Sequence, residues 1–539
     1  MSAHMKSHCF PFRQVPHSSK LFLDYLDFSP SVQSFYSRSA RFLEWAEDER
    51  GHIQYPAERR SQVATILERQ NRNWGASSTA LENIDRLRSG ACAIVTGQQV
   101  GLFGGPVFSI CKALSAVKLT EEARKLGVDA VPVFWLATED HDFEEVNQAQ
   151  MPGADGKLET LVSGAQTTPD APVGSIGFGP EIEQSVARAT DLLGDSDVAK
   201  LLGECYRSGE NFGSAFAKLF TGLFADFGVI LLDGSDPDLD RIAAALYSAV
   251  LERAPEITQA LLDRDAKLHA AGYHQQVKVT SSSTLLFAMR DGARVPIQQT
   301  KSGEFLVGEE KVSQQQLLDL ASKSPQSFSP NVLLRPVMQD YLLPTLTYIG
   351  GAAEVAYFAQ AAAVYESLGE RNTPIVSRFS ATLIEPKVKA LLDKYNLTIP
   401  EIFEGAEVLR ETIGARRLPP NLQNSFEKAT VAVENSMKTV RELLAELDKT
   451  LIESAGNAES KMLYQLNNLR ARAARAELRH SEVIQRHAEL ISNSLYPGKE
   501  LQERSFAGVY FLAKHGKQLM DGLLHAMHPD CLDHQIIDL

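Results

Sequence analysis

The sequence predicts an α/β protein: a Rossmann-like core with a parallel sheet, interrupted by two insertions and followed by a C-terminal α-helical coiled-coil domain. Three observations predict it. Short apolar runs suited to buried strands alternate with helical patterns from Cys92 to Leu136, polar loops rich in glycine or acid stand at the ends of those runs, and the C-terminal part repeats apolar residues at steps of three, four and seven.

Residues 20–88 read as amphipathic helices leading into the first core strand. That strand, "CAIV", runs into "VTGQQVGLFGGP" (Val95–Pro106), after which Val107, Ile110, Cys111, Leu114 and Val117 recur at helical spacing. Pro106 suits the first helical position, where no N–H is needed, and Gly127 suits a left-handed cap at the far end. The next apolar run, "AVPVFWL" (Ala130–Leu136), completes a strand–loop–helix–strand unit, which implies a right-handed crossover in a parallel sheet. In such sheets ligands bind outside the carboxyl ends of the strands, where loop glycines let backbone N–H groups approach an anion. Thr96, Gly97, Gln98, Gln99 and Gly105 are therefore candidate binding residues, with tight packing of the loop as the alternative. Neither G-x-G-x-x-G nor G-x-x-x-x-G-K-[ST] is present.

The second strand ends in "ATEDHDFEEVN". Glu139, Asp140, His141 and Asp142 thus meet the glycine loop at one sheet edge, where Asp140, His141 or Asp142 could take a proton and the carboxylates could hold magnesium; a solvated capping loop is the alternative. Residues 153–222 read as a mostly helical insertion, 223–262 as a return to the core through "FGVILLDGSDPDLDR", and 263–328 as a β-containing insertion with turns at Asp291-Gly292 and Ser302-Gly303. The core resumes over 329–395, where Gly350-Gly351 precedes a helix from Ala352 to Leu368 with Glu354 in its first turn. Over 396–539, Phe426, Val433, Met437, Val440, Leu444, Leu447 and Leu451, then Met462 through His480 to Leu490, fall at coiled-coil spacing; the expectation is two long helices parted near Gly456 and a homodimer through this arm. Arg472, Arg475, Arg479 and Arg486 line a neighbouring face that reads as solvated rather than as an RNA-binding stripe.

A chain of 539 residues, 44% of them hydrophobic, can bury a core large enough to divide into several domains. A formal net charge of −14 opposes nucleic-acid binding by a basic surface and attraction to anionic membranes. The five scattered cysteines form no C-x-x-C pair, and no signal peptide or membrane helix is legible, so a reducing cytoplasm is expected.

Five long motifs in order, "VTGQQVGLFGGPVFSICKALSAVKL", "VPVFWLATEDHDFEEVN", "AGYHQQV", "NVLLRPVMQDYLLPTLTYIGGAAEVAYF" and "GKELQERSF", resemble the bacillithiol biosynthesis cysteine-adding enzymes, the BshC family. The resemblance implies a core like that of class I aminoacyl-tRNA synthetases, two connecting-peptide insertions and a dimerising coiled coil, although H-x-G-H and K-M-S-K-S are absent. It also implies a ligase that joins cysteine to the amine of glucosaminyl-malate. Amide formation requires an activated carboxylate, so ATP is expected, with ADP or AMP as product left open, magnesium as its companion and no tightly bound metal. Lys112, Arg335 and Arg378 become candidates for the malate carboxylates, with a salt bridge within the core as the alternative for each, and Asn331, Gly351 and Glu354 for the cysteine or sugar. Tyr273 and His274 are placed to close over the pocket or to support the fold. Lys499, Gln502 and Arg504, after a Pro-Gly turn, are candidates for a nucleotide phosphate or for domain docking. Competing readings are a nucleotidyl or glycosyl transferase and a non-catalytic coiled-coil scaffold.

Overall fold

Strands without a polar face need cover on both sides, and the core supplies it. The computed structural model describes residues 5–153, 156–300, 302–478 and 482–539. They fall into two units: the described residues of Met1–Gly153, Glu159–Thr382 and Glu503–Ile537, and those of Ala154–Leu158, Leu383–Gln502 and Asp538–Leu539. The domain edge expected at 395/396 thus lies at 382/383, and Glu503–Ile537 packs with the first unit.

The first unit is built on five parallel strands, β1 (Cys92–Gln98), β2 (Ala130–Leu136), β3 (Ile230–Asp233), β4 (Thr345–Gly350) and β5 (Ile375–Ser377), in the spatial order β5-β4-β1-β2-β3. This is the doubly wound order, whose direction reverses between β1 and β4. All of β2 is buried, and β1 is buried up to Gln98, because helices cover both faces. Helix α1 (Val107–Lys125) is buried around most of its circumference; at Gly508 the helix Gly508–His515 comes so near that an added Cβ would lie 2.4 Å from Ile110 Cδ1. Three further helices bear on the site: α2 (Pro237–Glu252) after β3, α3 (Arg335–Leu342) before β4, and α4 (Ala352–Leu368) after it.

The β2-to-β3 and β3-to-β4 connections carry the insertions. The second holds a five-stranded antiparallel sheet in the order Glu310–Val312, Phe305–Val307, Ala293–Gln299, Ser283–Arg290, Phe328–Pro330. Asp291 and Gly292 both take positive φ, 50° and 80°, as the twist of a two-residue hairpin requires. The segment "QVKVT" at 276–280 stays outside the sheet. Cys9 and Cys531, read from the sequence as scattered cysteines, are joined in a disulfide; their separation of 522 residues gave no local spacing to read.

In the second unit, helices α5 (Pro420–Leu447) and α6 (Leu451–Leu478) form the expected hairpin, tied by an Arg441–Glu459 ion pair. The break falls at Asp448, whose side chain accepts the Thr450 N–H at 2.9 Å, and Gly456 lies inside α6, so the expected position near Gly456 is corrected. Arg479 and His480 lie outside the described residues. Among the described residues no helix is long and apolar enough to cross a membrane.

An added Cβ at Gly97 would lie 2.9 Å from the Trp135 carbonyl oxygen and 3.0 Å from Trp135 Cβ on the adjoining strand. Since a backbone carbonyl cannot swing aside, Gly97→Ala should cost about 1–3 kcal/mol. Thermal unfolding should show a lower midpoint than for wild type.

Candidate functional site

Where the strand order reverses, the carboxyl ends of β1 and β4 part and leave a cleft of about 650 Å³. Gly97, Gln98 and Gln99 bound it on the β1 side, Glu139, Asp140 and His141 on the β2 side, and Gly351 to Glu354 at the start of α4. Asn331, Arg335, Arg378 and Arg504 also line it, so most of the sequence-predicted residues converge.

Others do not. The Thr96 hydroxyl is fully buried and donates to Ile349 O at 2.9 Å across the sheet. Gly105 packs out of the cleft, and its N–H is bonded to Leu102 O. The glycine loop is therefore not an open anion cradle: Gly101, Gly104, Gly105 and Val107 spend their N–H groups on Gln99 O, Gly101 O, Leu102 O and Phe506 O. Asp142 is exposed outside the cleft lining and caps the following turn by accepting the Glu145 N–H at 3.1 Å. Tyr273 bonds to Asp24 and Ser31, and exposed His274 to Gln276; neither lines the cleft.

The charges in the cleft sort into paired and unpaired. Lys112, 3% exposed, donates to Gly97 O at 2.7 Å, Gln98 Oε1 at 2.8 Å and Glu354 Oε2 at 2.6 Å, which uses all three of its protons. Burial works against the Glu354 carboxylate, but Lys112 and the Gly351 N–H at 2.7 Å together hold its pKa below the ordinary carboxylate range. Arg378 makes a two-bond pair with Glu503, at 3.0 and 2.6 Å. Lys112 and Arg378 thus hold the floor of the cleft rather than waiting for a ligand.

By contrast, Arg335 bonds only neutral groups, Tyr357 OH at 2.7 Å, Tyr348 OH at 3.3 Å and Gln339 Oε1 at 3.4 Å. Arg294, which the sequence reading missed, reaches in from the inserted hairpin at 8% exposure. It donates to Pro330 O at 2.8 Å, meets His141 Nδ1 at 3.1 Å and lies over the Phe287 ring, while its Nε has no hydrogen-bond partner. Arg donation leaves Nδ1 of His141 as acceptor and the ring proton on Nε2. Lys278 and Arg504 are exposed at the rim. Among the described residues, none of Arg294, Arg335, Lys278 and Arg504 has a carboxylate within ion-pair distance, so four cationic side chains face this space unneutralised. A charged residue inside the apolar strand "ARVPI" was the available signal for Arg294.

Gln502 is buried and wholly engaged: it accepts the Leu383 N–H at 2.8 Å and donates to Leu383 O and Ser494 O. Lys499 is exposed in the second unit. Of the three residues expected at a nucleotide phosphate, Arg504 alone is a lining residue of this cleft. No group of three or more His, Cys, Asp or Glu among the described residues is arranged to hold a metal.

Two family models match the chain, the N-terminal Rossmann-like domain of bacillithiol biosynthesis BshC over residues 5–379 and its C-terminal coiled-coil domain over residues 381–539. The chain belongs to the BshC family. A relative from Koribacter versatilis, named "Putative cysteine ligase BshC", is 49% identical over 529 residues, covering 98% of this chain and 99% of its own. A relative of the same name from Solibacter usitatus is 34% identical over 533 residues, again covering 98% and 99%. A solved structure titled as a "putative arginyl t-RNA synthetase" from Campylobacter jejuni covers 86% of this chain and 98% of its own at 11% identity, but a TM-score of 0.23 supports no argument about a shared fold.

Behind the BshC cleft lies a buried polar chain. Ser380 Oγ donates to Glu503 at 2.8 Å, so the Nδ1–H of His534 donates to Ser380 and its Nε2 accepts from Thr382, at 2.8 and 2.9 Å. Burial pushes the His534 pKa down to about 4, against the pull of Glu503. An imidazole with a folded pKa below its unfolded value stabilises the fold above about pH 6.5, and that stabilisation is lost as pH falls toward 4. The raised pKa of Glu139 gives an opposite trend in an overlapping window. The difference in unfolding free energy between wild type and His534→Gln, measured by urea titration, should therefore shrink as pH falls from 6.5 to 4.

Proposed function

We propose that this protein is a cysteine ligase of bacillithiol biosynthesis, forming an amide between the cysteine carboxyl group and the sugar amine of glucosaminyl-malate. The observation that carries the proposal is a cleft with four unneutralised cations opposite an acidic edge, in a chain whose relatives are named as cysteine ligases. The acceptor suits that division. Its malate carboxylates match the cations, Arg335 first because it is held by neutral phenols alone, while its amine faces Glu139, Asp140 and His141. Gln98, Gln99 and Asn331 offer amide groups for the sugar and the cysteine.

A carboxylate is a poor electrophile, so cysteine must be activated as an acyl phosphate or acyl adenylate, and ATP is the reagent this implies. Arg504, Lys278 and the N-terminus of α4 at Ala352 and Ala353 supply positive potential for phosphate oxygens. Magnesium enters with the nucleotide, whose phosphates provide most of its ligands. Incubation with glucosaminyl-malate, cysteine, ATP and magnesium should yield bacillithiol by mass spectrometry, with ADP or AMP identifying the activated intermediate. No product together with no binding of glucosaminyl-malate would sink the reading. Arg335→Met should raise KM for glucosaminyl-malate by roughly thirtyfold, corresponding to about 2 kcal/mol for a lost charged hydrogen bond.

The coiled-coil hairpin is proposed to join two copies. Leu443, Leu447, Tyr464 and Leu469 are 61%, 78%, 63% and 56% exposed, apolar surface that the hairpin leaves uncovered. Light scattering should give twice the chain mass, and Leu443→Glu with Leu447→Glu should give the monomer.

A further inference from the structure

The cleft contains four carboxylates, Glu139, Asp140, Glu145 and Glu354, and three of them are engaged. Asp140 accepts the His141 and Asp142 N–H groups on Oδ1 and the Gln99 amide on Oδ2, at 2.7, 3.3 and 2.8 Å. Glu145 is exposed and accepts the same Gln99 amide at 2.9 Å. Glu354 accepts from Lys112, Tyr348 and Gly351. Donors aimed at a carboxylate favour its ionised form and weaken it as a base.

Glu139 is set differently. It follows β2 at the inner wall of the cleft and has no cation within ion-pair distance among the described residues. Beside it is the buried hydroxyl of Ser329, which satisfies no other group. The groups that face it come from four elements: Arg294 from the hairpin, Arg335 from α3, Asp233 from β3, and Asp240 from α2, with Tyr247 donating to Asp240 at 2.7 Å. Burial pushes the Glu139 pKa up to about 7 against the pull of Arg294, and burial together with the Glu139 charge pushes Asp240 up to about 8.

We propose that Glu139 is the catalytic base of the cleft, the group that takes the proton from the ammonium of the acceptor sugar. The inference rests on the ligase reading. The ammonium N–H bond breaks with its electron pair left on nitrogen, and the proton passes to the Glu139 carboxylate. The nitrogen then forms the C–N bond to the carbonyl carbon of a cysteinyl–phosphate anhydride. The C–O bond to phosphate breaks, and the phosphate leaves with that electron pair and the second nitrogen proton. A base with a pKa near working pH is the efficient one for this transfer.

The test compares wild type, Glu139→Gln and Glu139→Asp as full-length protein. Glu139→Gln should lower kcat by roughly 10²–10⁴-fold, leave KM for glucosaminyl-malate within a few-fold, and still release nucleotide product when cysteine is trapped with hydroxylamine. Wild type and Glu139→Asp should show an acidic limb in kcat that Glu139→Gln lacks. An active wild type whose kcat is flat from pH 5.5 to 8.5, or a Glu139→Gln variant with wild-type kcat, overturns the assignment of the base alone. The flat profile does so even if Glu139→Gln fails to fold. A wild type that neither forms amide nor binds glucosaminyl-malate overturns the ligase reading, and this inference with it.

Discussion

Two buried ion pairs, Lys112 with Glu354 and Arg378 with Glu503, set the charge pattern on which the cleft depends. Taking charge out of water costs several kcal/mol per ion and is tolerated only where partners and further hydrogen bonds fill the geometry. Both pairs meet that condition: every proton of Lys112 is used, and Glu503 also accepts from Ser380 and Ala381. Because they neutralise themselves, the positive charge that reaches the cleft is that of Arg294 and Arg335, together with the rim cations. Those are the groups that the fold has left without counterions.

The sheet converts this chemistry into a place. Reversal of strand order between β1 and β4 opens the crevice, and the residues just beyond β1, β2 and β4 are carried to it by chain connectivity. That is why "TGQQ", "TEDH" and "GGAAE", distant in sequence, meet. The second insertion completes the wall with a hairpin that brings Arg294 against His141, so the inserted segment contributes to the site as well as extending the chain.

The core was legible because its signals are local: apolar runs of strand length, helical spacing after Pro106, a polar cluster at the end of a strand. Glu139, Asp140 and His141 were found by the same logic. The glycine loop misled because composition cannot show whether N–H groups point outward or close onto their own turn, and here they close. Arg294 escaped since its position depends on how an insertion folds back over the sheet. For Lys112 and Arg378 the choice between ligand cation and core salt bridge stayed open, as their partners Glu354 and Glu503 lie hundreds of residues away or on a returning C-terminal segment. The Asp448 break was hidden because Gly456 looked the better helix stop, yet a glycine inside a long helix costs only about 1 kcal/mol.

The Cys9–Cys531 bond, together with the backbone between them, makes the polypeptide a covalent ring of more than five hundred residues. The neighbouring strands Lys6–Phe10 and His534–Asp538 hold the two ends of that ring together without the sulfur bridge as well. A single cut in any exposed loop would therefore leave one linked molecule instead of two fragments. The strands Lys6–Phe10 and His534–Asp538, near the termini where a domain ordinarily frays first, are in this fold among its fastened points.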